Sequence, residues 1–310
     1  MKHYQNSPTR HRPRGGFTLI ELIMVIAIIA TLAALIFPAI NSVRSGVKVT
    51  EVRQEISGLE SAIADFKLKF GQAPPSRITL HEQWTNGWAT DRQSRAIIRG
   101  LWPKFNFGDG TGSPADLNTR IDFNNNSYTT DSFTLKGDQC LVFFLGGFWN
   151  PNDGFRGFSP IPTKPFAAAL GTTGPSSAVG PFFDFDLSRV KDEDGDVPGA
   201  DYAATNASLA YFPVYFDPIP DQQRPYIYSS SYEGTGYDVA DVQTPAAPAF
   251  NGYTVNANGL GWKSKTFQII SAGFDGDYGT GGLYDPDANP AIDAAGKDNI
   301  TNFTTGMLDQ

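Results

Sequence analysis

Residues 17–40 read FTLIELIMVIAIIATLAALIFPAI and hold one charge, Glu21, and two hydroxyls, Thr18 and Thr31. A carboxylate inside an apolar membrane helix costs about 2.5–3.5 kcal/mol on insertion scales. A helix kept only for anchoring would gain by losing it, so Glu21 implies a cationic partner. A cut between Gly16 and Phe17 would create one, a new α-amino group four residues away. Within one helix the two groups can share a face. Between neighbouring helices they can neutralise each other inside an apolar bundle. Other reactive chemistry is sparse. Cys140 is the single cysteine, which excludes an intramolecular disulfide and a cysteine-based zinc site. The histidines are His3, His11 and His81. Once the first sixteen residues are removed, a Ser-His-Asp triad would have to use His81.

The elements around Glu21 fit a membrane. Residues 1–16 contain Lys2, Arg10, Arg12 and Arg14 and no acid. A helix over residues 17–40 would be about 36 Å long, enough to cross a hydrocarbon core of about 30 Å. The basic flank orients the N-terminus to the cytoplasm and exports everything after residue 40. A secretory signal peptide would have a shorter apolar region and a small-x-small cleavage site, which this segment lacks. Pro38 reads either as the end of the spanning helix or as a kink within it.

Gly15-Gly16-Phe17-Thr18-Leu19-Ile20-Glu21-Leu22 resembles the processing signal of type IV prepilins and type II secretion pseudopilins. The resemblance implies that a prepilin peptidase cuts between Gly16 and Phe17 and methylates the new amine. It implies that Glu21 registers each subunit in a filament, and that Pro38 matches a proline common in the first helix of pilins. It also implies other pilin or pseudopilin subunits, an assembly platform membrane protein and an ATPase as partners. Loss of the four basic residues of the leader would take the net charge from −8 to −12, a poor balance for binding nucleic acid.

Beyond residue 40, Val52, Ile56, Leu59, Ile63, Phe66 and Phe70 recur at spacings of four and three, one apolar stripe on a helix. Gly71 and Pro74-Pro75 close it. The expected organisation is a leader at 1–16, a transmembrane and filament-core helix at 17–40, its amphipathic continuation at 41–70, and an exported domain at 71–310. The fold class is α+β: a long N-terminal helix packed on a loop-rich β-sheet domain, the lollipop outline of pilins.

Within 71–310, a helix is expected at 91–101 and strands at 211–216, 225–230 and 265–271. Residues 139–145 fit a helix or a buried strand, and 166–179 a surface loop. The five tryptophans are read as packing residues. The acidic run 192–196 lacks the full EF-hand spacing and is read as a solvated turn. Ser271-Ala272-Gly273-Phe274-Asp275-Gly276 and the later Asp298-Asn299-Ile300 resemble the C-terminal calcium loop of major G-type pseudopilins. Carried over, Asp275 would supply a carboxylate, Ala272 a main-chain carbonyl, and Asp298 or Asn299 a further oxygen to calcium. Asp277, Asp285, Asp287 and Asp293 are extra candidates, and ordinary Asp-Gly turn chemistry is the alternative.

No arrangement points to catalysis. The expected function is a structural subunit of a type II secretion pseudopilus or type IV pilus-like filament, anchored in the bacterial inner membrane. The alternative is an anchored periplasmic or surface module that binds a secreted protein or polysaccharide.

Overall fold

The computed structural model describes residues 17–111, 121–123, 130–150, 154–170, 177–192, 212–256, 258–286 and 292–309. The leader with Gly16, most of the acidic run after Asp192, and Asp287 lie outside them. The chain divides into two units, residues 1–47 and 48–310.

The first helix, α1, is Leu19–Phe70 and runs through Pro38. In the first unit, Leu19–Ile36 is long and apolar enough to cross a membrane, and none of it is buried. Thr31 spends its hydroxyl on the Ile28 carbonyl (2.8 Å), so that polar group needs no outside partner.

In the second unit the expected stripe faces the core. Val52, Ile56, Leu59, Ile63 and Phe66 are all buried. Phe70 is half-buried and meets Trp102 edge-on. The helix stops as its sequence predicts. Gly71 adopts φ +82°, and its amide donates to the Lys67 carbonyl (2.8 Å).

Strand β1 is Ile78–His81, and it pairs antiparallel with β2, Ser132–Leu135. Between them lies α2, Arg92–Leu101, whose N-cap Asp91 accepts from the Ser94 amide. Helix α3, Gly137–Gly146, contains the CLVFFL run, and all ten of its residues are buried. A segment apolar on every side carries no period, which is why its sequence admitted both helix and strand.

The main sheet is antiparallel. Strand β3 is Ile227–Ser230, β4 is Phe267–Ser271 and β5 is Ile300–Thr301, in the order β5–β4–β3. The expected strands at 225–230 and 265–271 are thus present. Of the one expected at 211–216, Val214–Tyr215 is strand and Tyr211 lies outside the described residues. Residues 166–179 are not wholly a surface loop, because Phe166 is fully buried against Trp102, Phe105 and Phe123. Trp88, Trp102 and Trp149 are core residues, while Trp84 and Trp262 are half-buried against it. Cys140 is buried, and burial, then Asp241 and Asp138, push its thiol well above the usual range.

One charged thread crosses this core. Glu55 of α1 takes the Arg189 guanidinium (Nη1 to Oε2, 2.8 Å) and the hydroxyls of Tyr215 (2.7 Å) and Tyr226 (2.8 Å). Glu55→Gln leaves Arg189 partly desolvated, with only the longer, more exposed contact to Asp186 (3.4 Å) as counter-charge. The expected loss is about 3 kcal/mol, read as a lowered urea midpoint of the second unit's unfolding.

Glu82 follows β1 and is buried, accepting the amides of Phe123 (2.8 Å) and Asp131 (2.9 Å). Burial is the main cause that raises its pKa to about 7. An acid whose pKa is raised by folding contributes stability below its unfolded pKa and loses it as pH climbs through the folded one. This contribution should fade between about pH 4.5 and 7. Glu82→Gln should flatten that part of the stability–pH profile, measured by thermal unfolding across the window.

Candidate functional site

The N-terminal site begins with backbone chemistry. The first turn of a helix leaves amides without intrahelical partners. Thr18 and Glu21 satisfy two of them reciprocally. The Thr18 amide donates to Glu21 Oε2 (2.8 Å), and the Glu21 amide donates to Thr18 Oγ1 (3.3 Å). The Thr18 hydroxyl donates to the same carboxylate oxygen at 2.7 Å. This is a capping box, and its Thr-x-x-Glu signature is present in the sequence. The expectation of a cationic partner for Glu21 took no account of this local pairing. Every one of these donors is neutral, so the negative charge remains. Phe17 is 85% exposed and stands immediately before the box. Pro38 lies inside α1 rather than at its end, which removes the terminator reading.

The C-terminal candidate forms where β4 leaves the sheet. Gly273 takes φ +68°, and a Cβ there would lie 2.4 Å from the Asp298 carbonyl oxygen, so glycine is required for the close approach. Asp298 Oδ2 accepts the amides of Phe274 (2.5 Å) and Asp275 (3.0 Å). The structure therefore brings Asp275 and Asp298 together, 23 residues apart in sequence. Asn299 turns inward, its amide donating to the Tyr253 hydroxyl (2.6 Å) and the Tyr278 carbonyl (3.0 Å). Ala272 is buried at the start of the turn.

Two oxygens are left over: Asp298 Oδ1 and Asn299 Oδ1 are buried without a hydrogen-bond partner. Both are hard donors of the kind calcium takes. The Asp275 carboxyl is pushed up by burial and by the neighbouring Asp298, Asp277 and Asp293 carboxylates. The residues therefore fit a divalent cation in kind. Among the described residues, no three His, Cys, Asp or Glu side chains converge in a group that could hold a metal. Two of the extra candidates, Asp277 and Asp293, have structural duties. Asp277 accepts the Gly279 amide, and Asp293 accepts from Thr280 and Gly296.

His81 acquires neighbours that its local sequence gave no sign of. Its Nδ1 lies 2.6 Å from Ser132 Oγ, and its Nε2 lies 3.1 Å from Asp91 Oδ2. Ser132 is its directly paired residue on β2, and Asp91 already caps α2. The ring is buried edge-on to Trp88 and ties the hairpin to the helix.

The family model for the prokaryotic N-terminal methylation motif matches residues 11–37. The chain is 37% identical over 118 residues to the type II secretion system core protein G of Pseudomonas aeruginosa, covering 35% of this chain and 83% of that protein. It is 41% identical over 64 residues to a fimbrial protein of Neisseria meningitidis, covering 21% and 38% of the two chains. The same identity and span relate it to the type IV major pilin protein PilE1 of Neisseria gonorrhoeae, covering 21% and 39%. The chain thus spans less than two fifths of the length of these pilins. No solved structure matches. The capped apolar helix, the methylation motif and the extent of identity with core protein G agree: the chain belongs to the family of type IV pilins and type II secretion pseudopilins.

Proposed function

We propose that this chain is a structural subunit of a pilin-like filament assembled from the inner membrane. The observation that carries the reading is the exposed apolar stretch Leu19–Ile36 opening on a carboxylate whose bonds are all to neutral groups. In this reading residues 1–16 are a leader, 17–40 the membrane and filament-core segment, 41–70 the helix that carries the globular part, and 71–310 the exported domain. The N-terminus lies in the cytoplasm and the domain in the periplasm.

A prepilin peptidase cuts between Gly16 and Phe17 and methylates Phe17. The new amine then faces Glu21 of a neighbouring subunit, and each charge cancels the other away from water. That pairing fixes the axial position of each arriving subunit. A platform membrane protein and an ATPase supply the force. Pro38 withholds one amide from the helix ladder, which gives the segment a place to bend or open during packing. The longer span shared with core protein G supports a secretion pseudopilus over a pilus.

Calcium belongs to the same reading. Asp275 and Asp298 would supply carboxylate oxygens, Asn299 an amide oxygen and Ala272 a carbonyl. The ion would neutralise the crowded acids and pin the C-terminal turn.

Two measurements test the N-terminal site. Mass spectrometry of the membrane-extracted native protein should find a chain beginning at N-methyl-Phe17; a chain beginning at Met1, in cells with active peptidase, removes the reading. Glu21→Gln keeps the capping box but discards the charge, so the variant should insert normally yet be lost from filaments, scored by shearing and fractionation. For the C-terminal turn, added calcium should raise the unfolding temperature, and Asp298→Ala should abolish that increment. At a hundredfold excess over Kd the increment corresponds to about 2.7 kcal/mol. An unchanged temperature in the wild type discards the ion.

A further inference from the structure

Away from these sites, a cleft among the described residues has no duty yet assigned. Gln93, Ala96 and Ile97 of α2 form one wall, and the loop carrying Tyr232, Thr235, Tyr237 and Asp238 forms the other. The cleft measures about 490 Å³, within the range of roughly 300–1,000 Å³ typical of small-ligand sites. A smaller hollow shares Ile97 and Tyr232 with it and continues towards Gln72 and Glu233.

Its two aromatic rings are held by their far ends. The Tyr237 hydroxyl donates to the Lys263 carbonyl (2.7 Å). The Tyr232 hydroxyl donates to Asp241 Oδ2 (2.7 Å). With the hydroxyls anchored and one side of Tyr237 packed on Gly261, what these two residues bring to the cleft is aromatic carbon. Tyr232 and Glu233 also hold φ of 47° and 60°, a conformation disfavoured for residues with a Cβ. Two consecutive residues of this kind mark a loop whose shape is imposed by its surroundings, as at ligand clamps.

The polar groups are arranged for hydroxyls rather than ions. Asp238 is paired with Arg77 (2.9 Å), which also reaches Asp241 (3.3 Å), and Glu233 is paired with Lys67 (2.8 Å). The acids of the wall are thus already countered, and no cation lines the cleft to attract an anion. The fixed Asp238 carboxylate keeps lone pairs for hydroxyl donors. The Gln93 amide, exposed on α2, has no partner among the described residues. Aromatic carbon for apolar C–H surfaces, with an amide and a braced carboxylate lining the same cleft, matches the two-sided chemistry of a pyranose.

We propose that this cleft binds a neutral oligosaccharide. The inference goes beyond filament membership and does not depend on it.

The test is titration of the full-length chain, held in an amine-oxide detergent that carries no sugar, with cellohexaose, maltohexaose and chitohexaose by calorimetry. At least one should bind saturably. Tyr237→Ala should weaken that binding about tenfold or more, equivalent to about 1.4 kcal/mol. Tyr237→Phe keeps the ring and should bind nearly as the wild type does, and Gln93→Ala should fall between the two. Failure of all three sugars to bind overturns the proposal. So does undiminished binding by a Tyr237→Ala variant with native circular dichroism. Binding of hexalysine in place of the sugars also overturns it and reassigns the cleft to cationic chains.

Discussion

The apolar face made by Val52, Ile56, Leu59, Ile63 and Phe66 is the surface on which the second unit is built. The strands of that unit are two to five residues long among those described, too short to hold a core by their ladders. Aromatic side chains take over that work. Phe66 alone meets Phe70, Phe144 and Phe182, and the ring contacts continue through Phe143, Phe158 and Phe166 to Trp102 and Phe105. Each such side chain buries roughly 150–250 Å², and edge-to-face pairs add a further ~0.5–1.5 kcal/mol. This is how a domain with no disulfide and many glycine turns fixes one shape. α3, buried on every side, fits only between layers that α1 and the sheet already define.

That dependence explains which parts of the fold could be read from residues alone. The α1 stripe was legible because spacings of four and three belong to one period, and Gly71 ended it for a local reason. Asp91 was legible as a helix start because capping is settled within four residues. The hairpin of β1 and β2 was not legible: each strand has four residues, and their partnership spans about fifty intervening positions. The same distance hid the contact of His81 with Ser132. The Asp275–Asp298 meeting was visible only through resemblance, since nothing local in either segment specifies the other. Thr18 is the opposite case, because its contact with Glu21 is local and its pattern was there to be read.

The capping box sharpens what the glutamate is for. A glutamine at position 21 could accept the Thr18 amide and hydroxyl as a glutamate does, and either residue completes the motif. It would do so without placing a charge in an apolar stretch. The hydrogen bonds therefore account for an oxygen at this position, but not for its negative charge. The charge is stabilised near the positive end of the helix dipole, by about 0.3–1 kcal/mol in exposed settings, less than the ~2.5–3.5 kcal/mol of burying it in a membrane helix. The remainder has to come from outside this helix's own first turn. In the proposed filament a cation delivered by another chain would meet that requirement, and only once the helices have assembled. In that filament the residue would thus be least stable in the lone subunit and most stable in the bundle, and the carboxylate would drive association as well as mark register.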